Sequence, residues 1–550
     1  MIGVVGAAGV TDAVGAVGVA DAADVAAGAN GGPMRVVTVG AGMAAARLAE
    51  ELRAGQPDPA LLAVTVLGAE PDEPYNRIML SHAMTSGPAG TATVAASAAA
   101  HPPSVAAHPA ATPVARLKPT GWWHRNHVDL RTSANVIAIG RPEREVVLAD
   151  GTRVAYDHLV LATGAQPRIP PIAGVRSQGA GAAQVAEPGA QPEPGLAPGA
   201  FTLRDAADGR ALAAHLAAHP GPVAVVGGGF IGLEIACALA AAGRDVTVVH
   251  PRGWPMNGVL DAGAGAVLIR ALATLGVRVR THVRATGWDG RGLVLDDDDV
   301  VVANTLVLTA GQASRTDLAR CSGLNVGDGV VVDDELLTSD PTISAIGDCA
   351  EHRGIVGGLV APAWEQATVL AARLTGVDGG ARYLGGSTVT RLKAFGLDVV
   401  AMGALAADPY GAPGCGCCDV GVTAISEPAR GRYARVDVAG GRVVGAALVG
   451  HPDPVGMLTQ LYESALPVPD DVVSVILGRA EAVSAETPAT MPAAAVVCRC
   501  NGVSKGDLVA AWSDGVRDRA GLAERTRAGT GCGGCSSAVE GICGWLREAG

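Results

Sequence analysis

The chain has 550 residues, enough for roughly three to four domains at about 150 residues each. Its 41 Lys and Arg stand against 53 Asp and Glu, a net charge of −12, which argues against the basic surface that nucleic-acid phosphates require. Eleven cysteines are too sparse for a disulfide scaffold. No apolar run reaches the roughly 18 residues of helical character that a membrane span needs, so a cytoplasmic protein is expected.

Residues 1–33 are rich in Ala, Gly, Val and Asp and lack the basic start of a signal peptide, and Met34 is an alternative first residue. An apolar strand at 36–39 then enters Gly40-Ala41-Gly42-Met43-Ala44-Ala45, of the form G-x-G-x-x-A. Gly40 permits the tight turn. Gly42 lets the backbone approach a pyrophosphate at the positive end of the following helix, and Ala45 allows close helix–strand packing. A second strand, 62–67, leads to Glu70, placed to hydrogen-bond a ribose hydroxyl. Alone, the motif also fits a plain strand–helix turn.

Residues 84–116 and 176–200 are small-residue and Pro-rich insertions that bury too little apolar surface to offset their ordering entropy. Between them an apolar strand runs into Ala162-Thr163-Gly164. A full G-x-G-x-x-G follows at Gly227-Gly228-Gly229-Phe230-Ile231-Gly232, with Glu234 just inside its helix. The next strand ends at His250 rather than at the acid that would select NADH. His250 and Arg252 either contact a 2′-phosphate or are solvated loop residues, so the expected nucleotide is written NAD(P)H. Gly311 and the pair Gly347-Asp348, each at a strand end, complete the candidate binding set.

Cys498 and Cys500 (C-x-C) precede Cys532 and Cys535 (C-x-x-C), two chelate spacings that suit Zn²⁺ or a [2Fe–2S] cluster. Helices are expected over 505–512 and 538–548, with Cys543 outside the quartet as a packing residue. Cys415, Cys417 and Cys418 form either a second ligand patch or a reduced loop. Cys237, Cys321 and Cys349 are isolated. No side chain is singled out as catalytic, because bound cofactors would carry the chemistry.

With these motifs placed, the chain resembles the flavoprotein part of assimilatory NAD(P)H nitrite reductases and the electron-transfer subunit of assimilatory nitrate reductase. GAEPDEPYNRIMLS (68–81), MNGVLDAGAGAVLIRALATLGV (256–277) and GIVGGLVAPAWEQATVLAARLTG (354–376) carry the resemblance, and the cysteine module is similar to bacterioferritin-associated ferredoxin. The resemblance implies an α/β glutathione-reductase-like fold with two dinucleotide-binding domains. FAD would take Gly40, Gly42, Glu70, Arg77, Thr163 and Asp348, with Ala45, Gly164 and Gly347 beside them. NAD(P)H would take Gly227, Gly229, Gly232 and Glu234, and the four cysteines would hold [2Fe–2S].

The implied domains are an extension at 1–33, an FAD domain at 34–175 and 312–378, and an NAD(P) domain at 201–311. A small α/β domain at 379–480, a linker at 481–494 and the cluster module at 495–550 follow. Two departures from the pattern stand out. No cysteine precedes Cys237, so a dithiol relay near the first turn is excluded, and the sirohaem unit of nitrite reductase is not in this sequence. The expected partner is therefore a separate nitrate or nitrite reductase catalytic subunit. The alternatives are a ferredoxin or rubredoxin reductase-like protein of another pathway, and a zinc or redox-sensing flavoprotein.

Overall fold

The computed structural model describes residues 32–83, 116–176, 195–386, 388–392, 394, 396–406, 420–479, 487–498, 502–529 and 535–549. Most of the expected extension and of both insertions, and the first half of the expected linker, lie outside these residues. So do Cys415, Cys417, Cys418, Cys500 and Cys532. Ala200, assigned above to the second insertion, is instead the first residue of a strand.

The chain opens with β1 (Met34–Val39), α1 (Met43–Gly55), β2 (Leu62–Leu67), β3 (Val128–Arg131) and β4 (His158–Leu161). A second run follows: β5 (Ala200–Thr202), α2 (Ala206–Ala218), β6 (Val223–Val226), α3 (Phe230–Ala241), β7 (Val246–His250), α4 (Ala262–Thr274), β8 (Val277–Thr281) and β9 (Thr305–Leu308). The chain then returns to its first body through β10 (Ile343–Ala345) and α5 (Val360–Leu374). Strands β4, β6 and β9 are Val/Leu-rich and buried along their whole length. That pattern belongs to parallel strands covered on both faces.

The first sheet has the order β10-β4-β1-β2-β3 and the second β8-β7-β6-β9-β5, all parallel. In each, the helix after the glycine turn, α1 or α3, leaves a central strand whose neighbours lead in opposite directions along the sheet. Doubly wound sheets bind ligands in the crevice at that point. The two halves are tied by α3, whose buried Glu234 accepts a 2.9 Å hydrogen bond from Ser81 of the first body.

A third unit holds β11 (Val389–Leu392), β12 (Val399–Gly403), β13 (Val420–Glu427), β14 (Arg432–Ala439) and β15 (Arg442–Val449) in the antiparallel order β11-β12-β15-β14-β13. Asp261 ties it to the second body. This carboxylate caps α4 through the Ala264 N–H and also accepts from Tyr433 (2.5 Å) and Arg435 (3.0 Å). The C-terminal module comprises a short strand pair (Val496–Cys498, Val503–Ser504) and helices α6 (Lys505–Ser513), α7 (Arg519–Thr526) and α8 (Ser536–Ala549). Ser504 and Asp507 form a capping box at the start of α6. Leu508, Trp512, Leu522, Val539 and Ile542 give the module a core of its own. Among the described residues no helix is long and apolar enough to cross a membrane.

One buried group makes the first body acid-sensitive. His158 on β4 bonds Ser344 on β10 at 2.9 Å, and burial pushes its pKa down to about 4. The fold therefore favours the neutral ring. That stability is complete above the unfolded value of about 6.5 and drains away as pH falls from there towards about 4. Urea titrations should show about 2 kcal/mol lost from this group between pH 7.5 and pH 5, and His158→Gln should flatten that slope.

Candidate cofactor cleft

A cleft of about 2330 Å³ runs between the two parallel sheets, well above the roughly 300–1,000 Å³ of an ordinary ligand pocket. Its walls include Gly42 and Asp348 of the first body, Gly229 of the second, and Cys535 of the C-terminal module. All four expected groups of residues thus meet one space.

The two glycine turns are built alike. Gly40 has φ +108°, and a Cβ there would lie 2.1 Å from the Ala162 carbonyl oxygen. Gly227 has φ +118°, and its Cβ would lie 2.3 Å from the Thr309 carbonyl oxygen. Only glycine lets these turns press against the neighbouring strand end. Gly232 closes its turn in the same manner, since a Cβ would come within 2.1 Å of the Gly227 oxygen. Ala45, the third position of the first turn, is fully buried in α1. Gly42 and Gly229 differ: a Cβ on either meets no protein atom within 4 Å.

These two glycines are the N-caps of α1 and α3, without a side-chain cap or an acid in the first turn. By contrast α2 and α4 are capped by Asp205 and Asp261. Asp205 lines the cleft as well, so one helix there is capped by a carboxylate, while α1, α3 and also α5, whose N-cap is Leu359, present uncapped N-termini to the same space. Unpaired N–H groups and the helix dipole suit a pyrophosphate there. The residues present fit two dinucleotides.

Around the first turn, Glu70 accepts a 2.6 Å bond from the Tyr75 hydroxyl and pairs with Arg77. Thr163 donates to the Arg315 carbonyl at 2.9 Å, and Gly164 (φ +71°) follows it. Gly347 (φ +76°) donates its N–H to Gln366 at 2.7 Å. Asp348 is held by Arg204 at 2.7 Å. Arg204 was not legible as a site residue: no motif surrounds it. Its guanidinium also bonds Gln312 (2.8 Å) and the Ala165 carbonyl (3.0 Å), inside the cleft wall. Arg204→Leu would leave the Asp348 carboxylate without that partner. A charge-assisted bond is worth about 1.5–3 kcal/mol, so FAD titrated into apoprotein should bind about 10- to 100-fold more weakly.

Around the second turn, Gly311 (φ +99°) and Glu234 line the cleft. His250 is buried rather than solvated. Its Nδ1 accepts from the Gly228 N–H (3.2 Å), its Nε2 faces Asn257 Oδ1 (3.0 Å), and burial lowers its pKa. A neutral imidazole with both nitrogens engaged shapes the turn and brings no charge for a 2′-phosphate. Arg252 is exposed and is not among the lining residues, whereas Arg284, just beyond β8, is.

In the module, Cys498 and Cys535 are both buried. Cys498 ends a strand, and Cys535 immediately precedes α8 and accepts the Val539 N–H through its carbonyl at 2.8 Å. Cys543 sits in the module core, where burial raises its pKa, as a packing thiol should.

Residues 34–370 match the family described as pyridine nucleotide-disulphide oxidoreductase. The chain belongs to that family. As a pyridine nucleotide-disulphide oxidoreductase it is an FAD-dependent enzyme of NAD(P)H oxidation. Residues 496–544 match the BFD-like [2Fe-2S] binding domain, so the thiol module is an iron–sulfur module. The family's disulphide has no counterpart near the first turn: the earliest cysteine, Cys237, is buried in α3, and burial pushes its pKa up to about 12.

The nitrite reductase [NAD(P)H] of Bacillus subtilis is 30% identical over 518 residues, covering 93% of this chain and 57% of that protein. The assimilatory nitrate reductase electron transfer subunit of Bacillus subtilis is 28% identical, covering 94% of this chain and 60% of its own length. The chain therefore spans somewhat more than half of each. Rhodocoxin reductase of Rhodococcus erythropolis is 33% identical, covering 62% of this chain and 72% of that protein. In fold, the chain is similar to the ferredoxin reductase for the CYP199A2 system of Rhodopseudomonas palustris, with TM-score 0.63 and 24% identity over 81% of this chain and all of that one.

Proposed function

We propose that this chain takes electrons from NAD(P)H and delivers them, one at a time, to a separate catalytic protein, a nitrate reductase first and a nitrite reductase second. The observation that carries this reading is the shared cleft: two open helix N-termini and Cys535 line one space. When bound, the flavin supplies the conversion between a two-electron nicotinamide donor and a one-electron iron–sulfur carrier.

The chain's own residues bind and orient. Backbone N–H groups at Gly42 and Gly229 hold the pyrophosphates of FAD and NAD(P)H. Glu70 and the Asp348–Arg204 pair take polar groups of FAD. Cys498, Cys500, Cys532 and Cys535 ligate the cluster, a thiolate set that suits the reducing cytoplasm. No side chain needs to act as nucleophile or general base.

Alignment over nine-tenths of the chain with nitrite and nitrate reductase proteins, and an iron–sulfur module on the same chain, favour nitrogen-oxide reduction over an oxygenase pathway. The test is NAD(P)H-driven nitrate reduction by the purified holoprotein with a candidate molybdenum subunit added. Turnover that needs both proteins supports the proposal. NAD(P)H oxidation with an artificial acceptor but none with either nitrogen-oxide reductase defeats the choice of partner. A protein without flavin absorbance defeats the whole reading.

A further inference from the structure

The C-terminal module has its own core, against which Ile78 of the first body packs, and it also meets that body at a charged contact. Gly502 (φ +63°) is the point of closest approach: a Cβ there would lie 2.6 Å from Arg47 Nη1 and 3.7 Å from the Trp364 ring. Arg47 lies over that ring, 5.8 Å from its centroid. Beside it, Arg527 of the module closes a cavity of about 30 Å³ against Glu50, Lys118 and Trp364. Arg527 is the C-cap of α7 and holds a left-handed backbone at φ +67°, an uncommon conformation for a side chain of its size.

The charges at this contact are divided unequally. Both carboxylates, Glu50 and Glu51, belong to α1 of the first body, and the module brings a cation. Glu50 receives Lys118 at 2.5 Å and Arg47 at 3.2 Å, while Glu51 pairs with Arg47 and receives the Thr368 hydroxyl at 3.5 Å. Burial lowers the Lys118 pKa, and the nearby Arg47 and Arg527 add to the lowering against the pull of Glu50. Three cations therefore converge where the two units meet, and Glu50 pairs with two of them, Arg47 and Lys118, and lines one cavity with the third, Arg527.

We propose that this α1/α5 face is an electrostatic seat for the chain's own [2Fe–2S] module, with Glu50 as the positioning residue that admits Arg527. Seated, the module presents Cys535 to the cleft that Gly42 and Asp348 also line. The inference rests on the electron-transfer reading above for its functional consequence, but not for the seat itself. Because the contact sets Arg527 beside the Glu50, Arg47 and Lys118 charges, salt loosens it. Without Glu50, the cations of the first body repel the module.

The experiment uses the full-length holoprotein, mixed anaerobically with NAD(P)H, following flavin and cluster bleaching separately. Glu50→Gln should slow cluster reduction about tenfold while flavin reduction keeps its rate, and high salt should do the same to the parent protein. Removing one cation as well, in Glu50→Gln/Arg527→Gln, should restore most of the lost rate. A purely structural role for Glu50 predicts no such rescue. Small-angle scattering gives the second readout: Glu50→Gln should lengthen the particle and the double variant should shorten it again. Unchanged dimensions in Glu50→Gln, or a double variant no better than the single, overturn the seat. A protein with no reducible cluster overturns the electron-transfer reading instead, and the scattering arm still decides the seat.

Discussion

Gly229→Val is expected to leave the protein folded and flavin-loaded while cutting NAD(P)H oxidation by about a hundredfold or more. Gly229 has φ −84° and ψ −176°, extended backbone that any residue adopts. A Cβ there meets no protein atom within 4 Å, and the position lines the cleft at the uncapped N-terminus of α3. Hydrogen bonds to a charged partner are worth about 1.5–3 kcal/mol each. Losing two costs about 3–6 kcal/mol, or roughly 10²- to 10⁴-fold in affinity. Gly232→Ala is the contrasting variant. Its methyl would press on the Gly227 oxygen at 2.1 Å and the Thr309 hydroxyl at 2.6 Å, so it should lower Tm. Ferricyanide reduction, flavin content and thermal melting separate the two. If Gly229→Val loses its flavin or its Tm, the position supports the fold and not the nucleotide.

That contrast also shows what a sequence can reveal. Gly40, Gly227 and Gly232 are legible because their reason is local and steric, and a glycine at the right offset from an apolar strand says as much before any coordinates. The β4, β6 and β9 strands are legible for a similar reason, since unbroken Val/Leu runs need cover on both faces. Partnerships across the chain are not legible. Arg204 reaches Asp348 over 144 residues and Ser81 reaches Glu234 over 153, and neither pairing leaves a trace in spacing. His250 shows the limit most plainly. Its place at a strand end was readable, but not its burial beneath the turn, where Gly228 and Asn257 bond the ring; that burial lowers its pKa against the pull of the Asn257 bond. The charged side chain on that wall, Arg284, comes from the turn after the neighbouring strand β8.

Cys535→Ser is expected to abolish the iron–sulfur spectrum and the reduction of one-electron acceptors, while NAD(P)H still bleaches the flavin. Cys535 is buried, begins the α8 turn and lines the cleft. A serine hydroxyl is about the same size but ionises far less readily, so it fills the space without supplying the charge that iron requires. Cys543→Ser is the control on the same helix. That thiol lies in the module core, and burial holds it protonated, so its replacement should lower stability and spare the cluster. Iron and sulfide content, measured after the flavin is removed, reads both variants. A Cys535→Ser protein that retained its cluster would place the ligand elsewhere, and the link between module and cleft would then lose its one thiol contact among the described residues.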